Sequence, residues 1–237
     1  SIFAPARTMV REYRLGPVTL KIQASASHRP LACTDDDHRP PVVLLHAFPL
    51  DGRMWEPQRD ALARRTRVLT PDLPGFGLSA DHPAPPSLDA WADAVEALLA
   101  DRIGPRPAVI CGLSMGGYVA LRMAARHPHR PAALVLADTR AGPDNAAGRR
   151  ARDDAVDTVT TRGAAALVDE LVPKLLAEGS RPELVARVRE LALAQPDAAV
   201  TGALRAMRDR PDSTPVLARL QVPTLVVVGE HDLGGAL

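Results

Sequence analysis

Short apolar runs alternate with longer amphipathic stretches along this 237-residue chain. The alternation predicts a mostly parallel sheet with helices on both faces. A strand buried on both sides reads as an unbroken apolar run, whereas a helix repeats its apolar residues every three or four positions. Strands are expected at 42–46, 68–70, 108–111, 133–137 and 224–228, and the runs Val42-Val-Leu-Leu45 and Leu225-Val-Val-Val228 read as strands buried on both faces. The stretch from Val10 to Leu31 is expected to open the fold with an antiparallel pair. Residues 34–41, with three consecutive aspartates and two prolines, are expected to form a loop. Helices are expected at 87–99, where Ser87 can cap and Leu88, Trp91, Val95 and Leu98 share a face, and at 115–127.

No strand-like run interrupts the segment from Gly142 to Pro215. Leu167, Leu171 and Leu175 share one stripe beside Val168, Val172 and Leu176; Leu184, Val188 and Leu191 make a second; Ala203, Leu204 and Met207 belong to a third. A single crossover helix needs far fewer residues, so 142–215 reads as an insertion of three or four helices, a lid over the site. Residues 1–141 and 216–237 then form the core.

Composition narrows the function classes. With 46% hydrophobic and 24% charged residues the chain can bury a sizeable core, and a net charge of +1 provides no general attraction for nucleic acid or an anionic membrane. Cys33 and Cys111 are too few for a disulfide framework, and Cys111 sits in an apolar strand as a small buried hydrophobe. No run approaches the ~18 apolar residues of a membrane span, and the N-terminus lacks a basic segment followed by an apolar one. A soluble, cytoplasmic protein is the default expectation. Neither end reads as natural: the chain opens on Ser1, with Met9 as a possible internal start, and closes on Asp232-Leu-Gly-Gly-Ala-Leu237.

The sharpest chemical signal is Gly112-Leu-Ser114-Met-Gly116, with an apolar strand before it and a helix after it. A serine there occupies a strained strand-to-helix turn, and small residues two positions to either side let neighbouring backbone approach closely. Ser114 is the predicted nucleophile, placed at a helix N-terminus whose dipole favours developing negative charge. Attack on a carbonyl creates an oxyanion that needs two donors. The N–H of Met115 is one candidate. The N–H of Phe48, in His46-Ala-Phe48-Pro-Leu-Asp51 after a buried strand, is the other. His46 is expected to brace this loop through its ring nitrogens rather than act as the base. The loop from Thr70 to Ser79 reads equally well as a wall of the site or as structural punctuation.

These stretches resemble the α/β-hydrolase superfamily, closest to its bacterial branch of small esterases, enol-lactonases and cofactor-free haloperoxidase-like proteins. The resemblance is carried by 46–51, by Asp72-Leu-Pro-Gly-Phe-Gly-Leu-Ser79, by 112–117 and by Val226-Val-Val-Gly-Glu-His-Asp232. It implies a mostly parallel eight-stranded sheet with a helical cap after the sixth strand. Ala47 departs from the glycine most relatives carry. The resemblance also implies Asp232 as the triad acid, with Asp138 as the fallback, and a histidine after an eighth strand. Of the seven histidines none follows Asp232. His82 and His231 lie on the correct side of the sheet but are not aimed at Ser114 by any pattern. The expectation is therefore a C-terminally truncated serine hydrolase, without its eighth strand and last helix, that is inactive in this form. Its lineage would act on carboxylic esters, lactones or similar small acyl substrates through an acyl-enzyme, with no cofactor and no metal. A catalytically dead binding protein and a perhydrolase or haloperoxidase-like enzyme are the alternatives.

Overall fold

The computed structural model describes residues 9–15, 18–24, 39–81 and 87–230. β1 (Met9–Leu15) and β2 (Val18–Ala24) pair antiparallel, with Leu15 opposite Val18 and Met9 opposite Ala24. The main sheet contains β3 (Val42–Leu45), β4 (Val68–Leu69), β5 (Ala108–Leu113), β6 (Pro131–Ala137) and β7 (Thr224–Val227). All its pairings are parallel, in the order β4-β3-β5-β6-β7. Each crossover carries helix: α1 (Glu56–Leu62), α2 (Leu88–Ile103), α3 (Met115–Arg126), and then five helices between β6 and β7.

Alternation along the strands assigns the two faces. Val43, Leu45, Ile110, Leu134 and Leu136 pack into one large cluster with α2 and α3, while Leu44 and Cys111 pack with Trp55, Leu62 and Val135. Successive strand side chains point to opposite faces, so the central strands are apolar on both because helices cover both. Ser87 caps α2 as its sequence suggests, its Oγ accepting from the N–H of Ala90 at 3.2 Å.

The segment after β6 forms α4 (Ala146–Arg162), α5 (Ala164–Leu175), α6 (Pro182–Leu193), α7 (Asp197–Arg208) and the short α8 (Thr214–Leu217). Five helices thus stand where three or four are expected, the extra one being a single turn that leads into β7. Among the described residues, no helix is long and apolar enough to cross a membrane.

One expectation fails. The run Leu225-Val-Val-Val228 reads as buried on both faces, yet these four residues are 46–58% exposed. Among the described residues β7 is the outer strand of the sheet, bonded only to β6, and all four of its residues are exposed. Apolar pattern reports what a strand is suited to bury against, not what lies there.

Candidate active site

β5 ends at Leu113 and α3 begins at Met115, so Ser114 alone makes the turn. It adopts φ 51° and ψ −111°, a backbone region that residues with a Cβ rarely enter. Four hydrogen bonds hold it there. Its N–H donates to the Ala137 carbonyl at 2.9 Å, and its own carbonyl accepts from Gly117 N–H, Tyr118 N–H and the Thr139 hydroxyl at 2.9, 3.2 and 2.9 Å. Close packing explains the flanking glycines: a Cβ at Gly112 would overlap the Gly116 backbone, and one at Gly116 would overlap the Leu45 carbonyl. The turn is thereby wedged between β3, β5 and β6, with Ser114 half-buried and Met115 fully buried behind it. Opening α3, the Met115 N–H has no acceptor within its helix.

The loop after β3 passes beside this turn. Its ring nitrogens engaged on both sides, His46 is fully buried there. Leu73 N–H donates to Nε2 at 2.9 Å, so the ring proton sits on Nδ1 and is directed at the Ala47 carbonyl, 3.1 Å away. Burial holds its pKa down at about 4 despite that carbonyl and the nearby Asp51 carboxylate. A neutral imidazole with both nitrogens occupied ties the two loops together and has no lone pair to offer a serine. Leu50 N–H closes a turn onto the Ala47 carbonyl, and Ala47 N–H points at the Met54 sulfur. Phe48 is buried in the large cluster shared with α4, α5 and α7.

Two buried carboxylates support these loops. Asp51 accepts from Arg53 N–H and from the guanidinium at 2.8–3.0 Å; burial alone would raise its pKa, but these bonds outweigh it and hold the carboxyl below its ordinary value. Asp72 accepts from Gly52 N–H at 2.7 Å and Leu78 N–H at 2.8 Å, yet burial, with the Asp51 charge adding to it, pushes its pKa up to about 6. The helical segment reaches the same place through Gln195, which bonds to Asp51 and to Gly77 N–H.

Asp138, the fallback acid, follows β6 directly at φ 37°, half-buried, with its N–H donating to the Val227 carbonyl. Asp232, His82 and His231 lie outside the described residues, as do His28 and His38. At the far end of α3, about 18 Å of helix from Ser114 at 1.5 Å per residue, His127 pairs with Asp93 and His129 approaches Glu96. The Cys111 thiol is pushed up to about 11 by burial and is chemically quiet.

Beside Phe48 opens a cavity of about 470 Å³ between the sheet end and α4, α5 and α7. Leu167, Leu171 and Leu204 give it an apolar wall, and Arg140, Arg152 and Glu170 give it a polar one. Sequence reasoning missed Thr139, Gln195 and the buried pair Arg210–Asp144 (2.8 Å), which ties the end of α7 to the residues leading into α4. None of them belongs to a local motif.

Comparison with known proteins agrees with this architecture. Over 128 residues the chain is 43% identical to a pimeloyl-[acyl-carrier protein] methyl ester esterase of Aromatoleum aromaticum, a match covering 52% of this chain and 48% of that one. The match spans less than half the length of that esterase, and 37% of the length of the corresponding esterase of Chromobacterium violaceum, to which 100 residues are 44% identical. Among solved structures, a thermophilic esterase from Thermogutta terrifontis superposes with a TM-score of 0.81 at 33% identity, covering 95% of this chain and 80% of that one. The enol-lactonase from Burkholderia xenovorans LB400 gives 0.79 at 26% identity, with 94% and 83% covered. Residues 40–234 match the family described as alpha/beta hydrolase fold, which takes in the parallel sheet, the Ser114 turn and the helices between β6 and β7, and the chain belongs to that family.

Proposed function

We propose that this chain is built to hydrolyse small carboxylic esters or lactones with Ser114 as the nucleophile. The observation that carries the reading is the Ser114 backbone: a strained, four-bonded turn that places a half-buried serine at the start of a helix. Strain of this kind costs about 1–3 kcal/mol and persists only where the surroundings enforce it. Oγ attacks the carbonyl carbon as a general base takes its proton, and the N–H groups of Met115 and Phe48 take the developing oxyanion. That proton passes to the alkoxide oxygen as its bond to the acyl carbon breaks, giving a free alcohol from an ester or a tethered one from a lactone. Water, deprotonated by the same base, then attacks the acyl carbon, and Ser114 Oγ is reprotonated as the acid is released. The cavity beside Phe48 falls in the size range of small-molecule sites and suits the non-reacting part of the substrate. The names of the esterase and enol-lactonase relatives support this substrate class.

The helices of 142–215 act in this reading as a cap, because their side chains line the cavity. Asp232 is assigned the acid role, with Asp138 as its substitute. Among the described histidines none suits the base: His46 has both nitrogens engaged, and His127 and His129 stand at the other end of α3. The base is therefore sought outside the described residues. That same observation favours a second reading, a binding protein that keeps the cavity without turnover.

Exposure of the purified chain to a fluorophosphonate, with intact mass read beside a Ser114→Ala control, tests the assignment. Ser114-dependent labelling supports the hydrolase. A parent protein that stays unlabelled while binding small esters in the cavity gives the site to the second reading.

A further inference from the structure

Gln195 lies between α6 and α7, buried, and its amide hydrogen-bonds to three separate elements. One amide hydrogen goes to Asp51 Oδ2 at 2.8 Å and the other to the Leu191 carbonyl at 2.7 Å, while Oε1 accepts from Gly77 N–H at 2.9 Å. A carboxylate and a carbonyl can only accept and an N–H can only donate, so the amide has one satisfactory orientation. Asp51 belongs to the loop after β3, three residues beyond Phe48, and Gly77 belongs to the loop after β4. The loop after β3 passes beside the Ser114 turn and is already joined to the loop after β4 by His46 and Asp72. A single side chain of the helical segment therefore reaches both.

Packing follows the same path. Val168, Val172, Leu191 and Ala192, from α5 and α6, bury Ala47 and Leu50 on either side of Phe48 and Pro49. Arg187 on α6 adds an ion pair to Glu56 at 3.0 Å. This apolar contact is non-directional and tolerates sliding, whereas the Gln195 bonds fix one register.

We infer that Gln195 is a positioning residue: it latches the helical segment onto the two loops and so fixes the loop carrying the Phe48 N–H. The catalytic consequence rests on the reading of Ser114 and Phe48 given above. The latch itself is a matter of loop order and is measurable without turnover.

The experiment compares the parent chain with Gln195→Met and Gln195→Glu by amide hydrogen exchange over residues 46–52, 77–78 and 182–208. Methionine keeps the volume and removes every bond. Glutamate keeps an acceptor for Gly77 but sets a second carboxylate against Asp51. The charged and titratable groups facing that pair are Arg53, Asp72 and His46 from the core and Glu190 from α6. Arg53 keeps Asp51 ionised, so the introduced carboxyl takes up the proton as pH falls, and once protonated it can donate to Asp51 again.

Gln195→Met should speed exchange in 46–52 and 77–78 by about ten-fold or more at any pH, the scale of a buried bond to a charged group. Gln195→Glu should match it at about pH 8 and return toward the parent at about pH 5, each compared with the parent at the same pH. Steady-state hydrolysis of p-nitrophenyl acetate should show the loss in kcat rather than in KM, because an oxyanion donor acts on the transition state. Parent-like exchange in Gln195→Met, or loss in Gln195→Glu that is the same at both pH values, overturns the latch. Should Gln195→Met fail to fold, the Gln195→Glu comparison decides alone. Altered exchange in the variants, with a parent that hydrolyses no ester, leaves the latch standing and counts only against the ester-hydrolase reading.

Discussion

The hydroxyl of Thr139 donates to the backbone carbonyl of Ser114 at 2.9 Å, joining the loop after β6 to the turn between β5 and α3. That carbonyl also receives two N–H groups from the first turn of α3, so Thr139 supplies the only one of its three donors that lies outside the helix. The bond opposes relaxation of the strained Ser114 backbone. Substituting Thr139→Val should cost about 1 kcal/mol, the net value of one hydrogen bond. Ser114→Gly should be more stable than Ser114→Ala by about 1–3 kcal/mol, because glycine enters the positive-φ region without strain and alanine does not. Urea unfolding of the three variants checks both; equal stability of the glycine and alanine variants would show that the turn stores no strain.

His46 and Asp72 oppose each other in their dependence on pH. Between about pH 4 and 6.5 the unfolded chain binds a proton at His46 that the folded chain does not, so stability from this residue rises with pH across that window. Between its ordinary carboxylate value and about 6 the folded chain binds a proton at Asp72 that the unfolded chain does not, so stability from this residue falls as pH rises. Each amounts to about 3 kcal/mol over its window. The pair should leave little slope in the parent. Asp72→Asn should expose the His46 rise and His46→Gln the Asp72 fall, read as differences from the parent in urea midpoints from about pH 4 to 7. Two variants with slopes of the same sign would refute the assignment.

What the sequence made legible follows from range. Gly112, Ser114, Met115 and Gly116 lie within five residues, and the strand before and helix after them are local patterns, so the turn could be found without coordinates. The central strands were legible because both their faces are covered, which is what an unbroken apolar run anticipates. The same rule failed for β7, where the pattern is the same but no described residue supplies the cover. Gln195 was invisible because its partners Gly77 and Asp51 lie 118 and 144 residues away, and a lone glutamine carries no periodicity. Arg210 and Asp144 were hidden for the same reason, since an arginine and an aspartate read as surface residues until the fold buries them.

Arg210 and Asp144 form a buried ion pair at 2.8 Å, with side chains 2% and 5% exposed. Arg210 also donates to the Gly142 and Met207 carbonyls and lies 4.3 Å over the Tyr118 ring, while Arg152 approaches Asp144 from the other side at 3.2 Å. Removing one partner leaves a buried charge, typically a loss of about 3–5 kcal/mol. Because Arg152 remains, Arg210→Met should fall at the lower end of that range. Adding Asp144→Asn should cost less than the two single losses combined, since the stranded charge is then gone. A double-mutant cycle by urea unfolding measures this, and strict additivity would mean that the two residues do not interact.

β7 sets the last expectation. Leu225, Val226 and Val227 are exposed on β7, as is Val228 just after it, and the outer edge of that strand has no strand partner among the described residues. Unpaired N–H and C=O groups beside apolar side chains form a template for another strand, and a lysine on such an edge is the usual deterrent. The chain of residues 1–237 should associate increasingly with concentration. Val226→Lys should weaken that association about ten-fold or more, since burying one valine is worth about 1.5–3 kcal/mol. Its fold should survive, because Val226 is half-exposed and its loss opens no cavity. Sedimentation velocity over a concentration series reads the effect directly. If Val226→Lys associates as the parent does, the contact lies on another surface; if both stay monomeric, the β7 edge is shielded in solution.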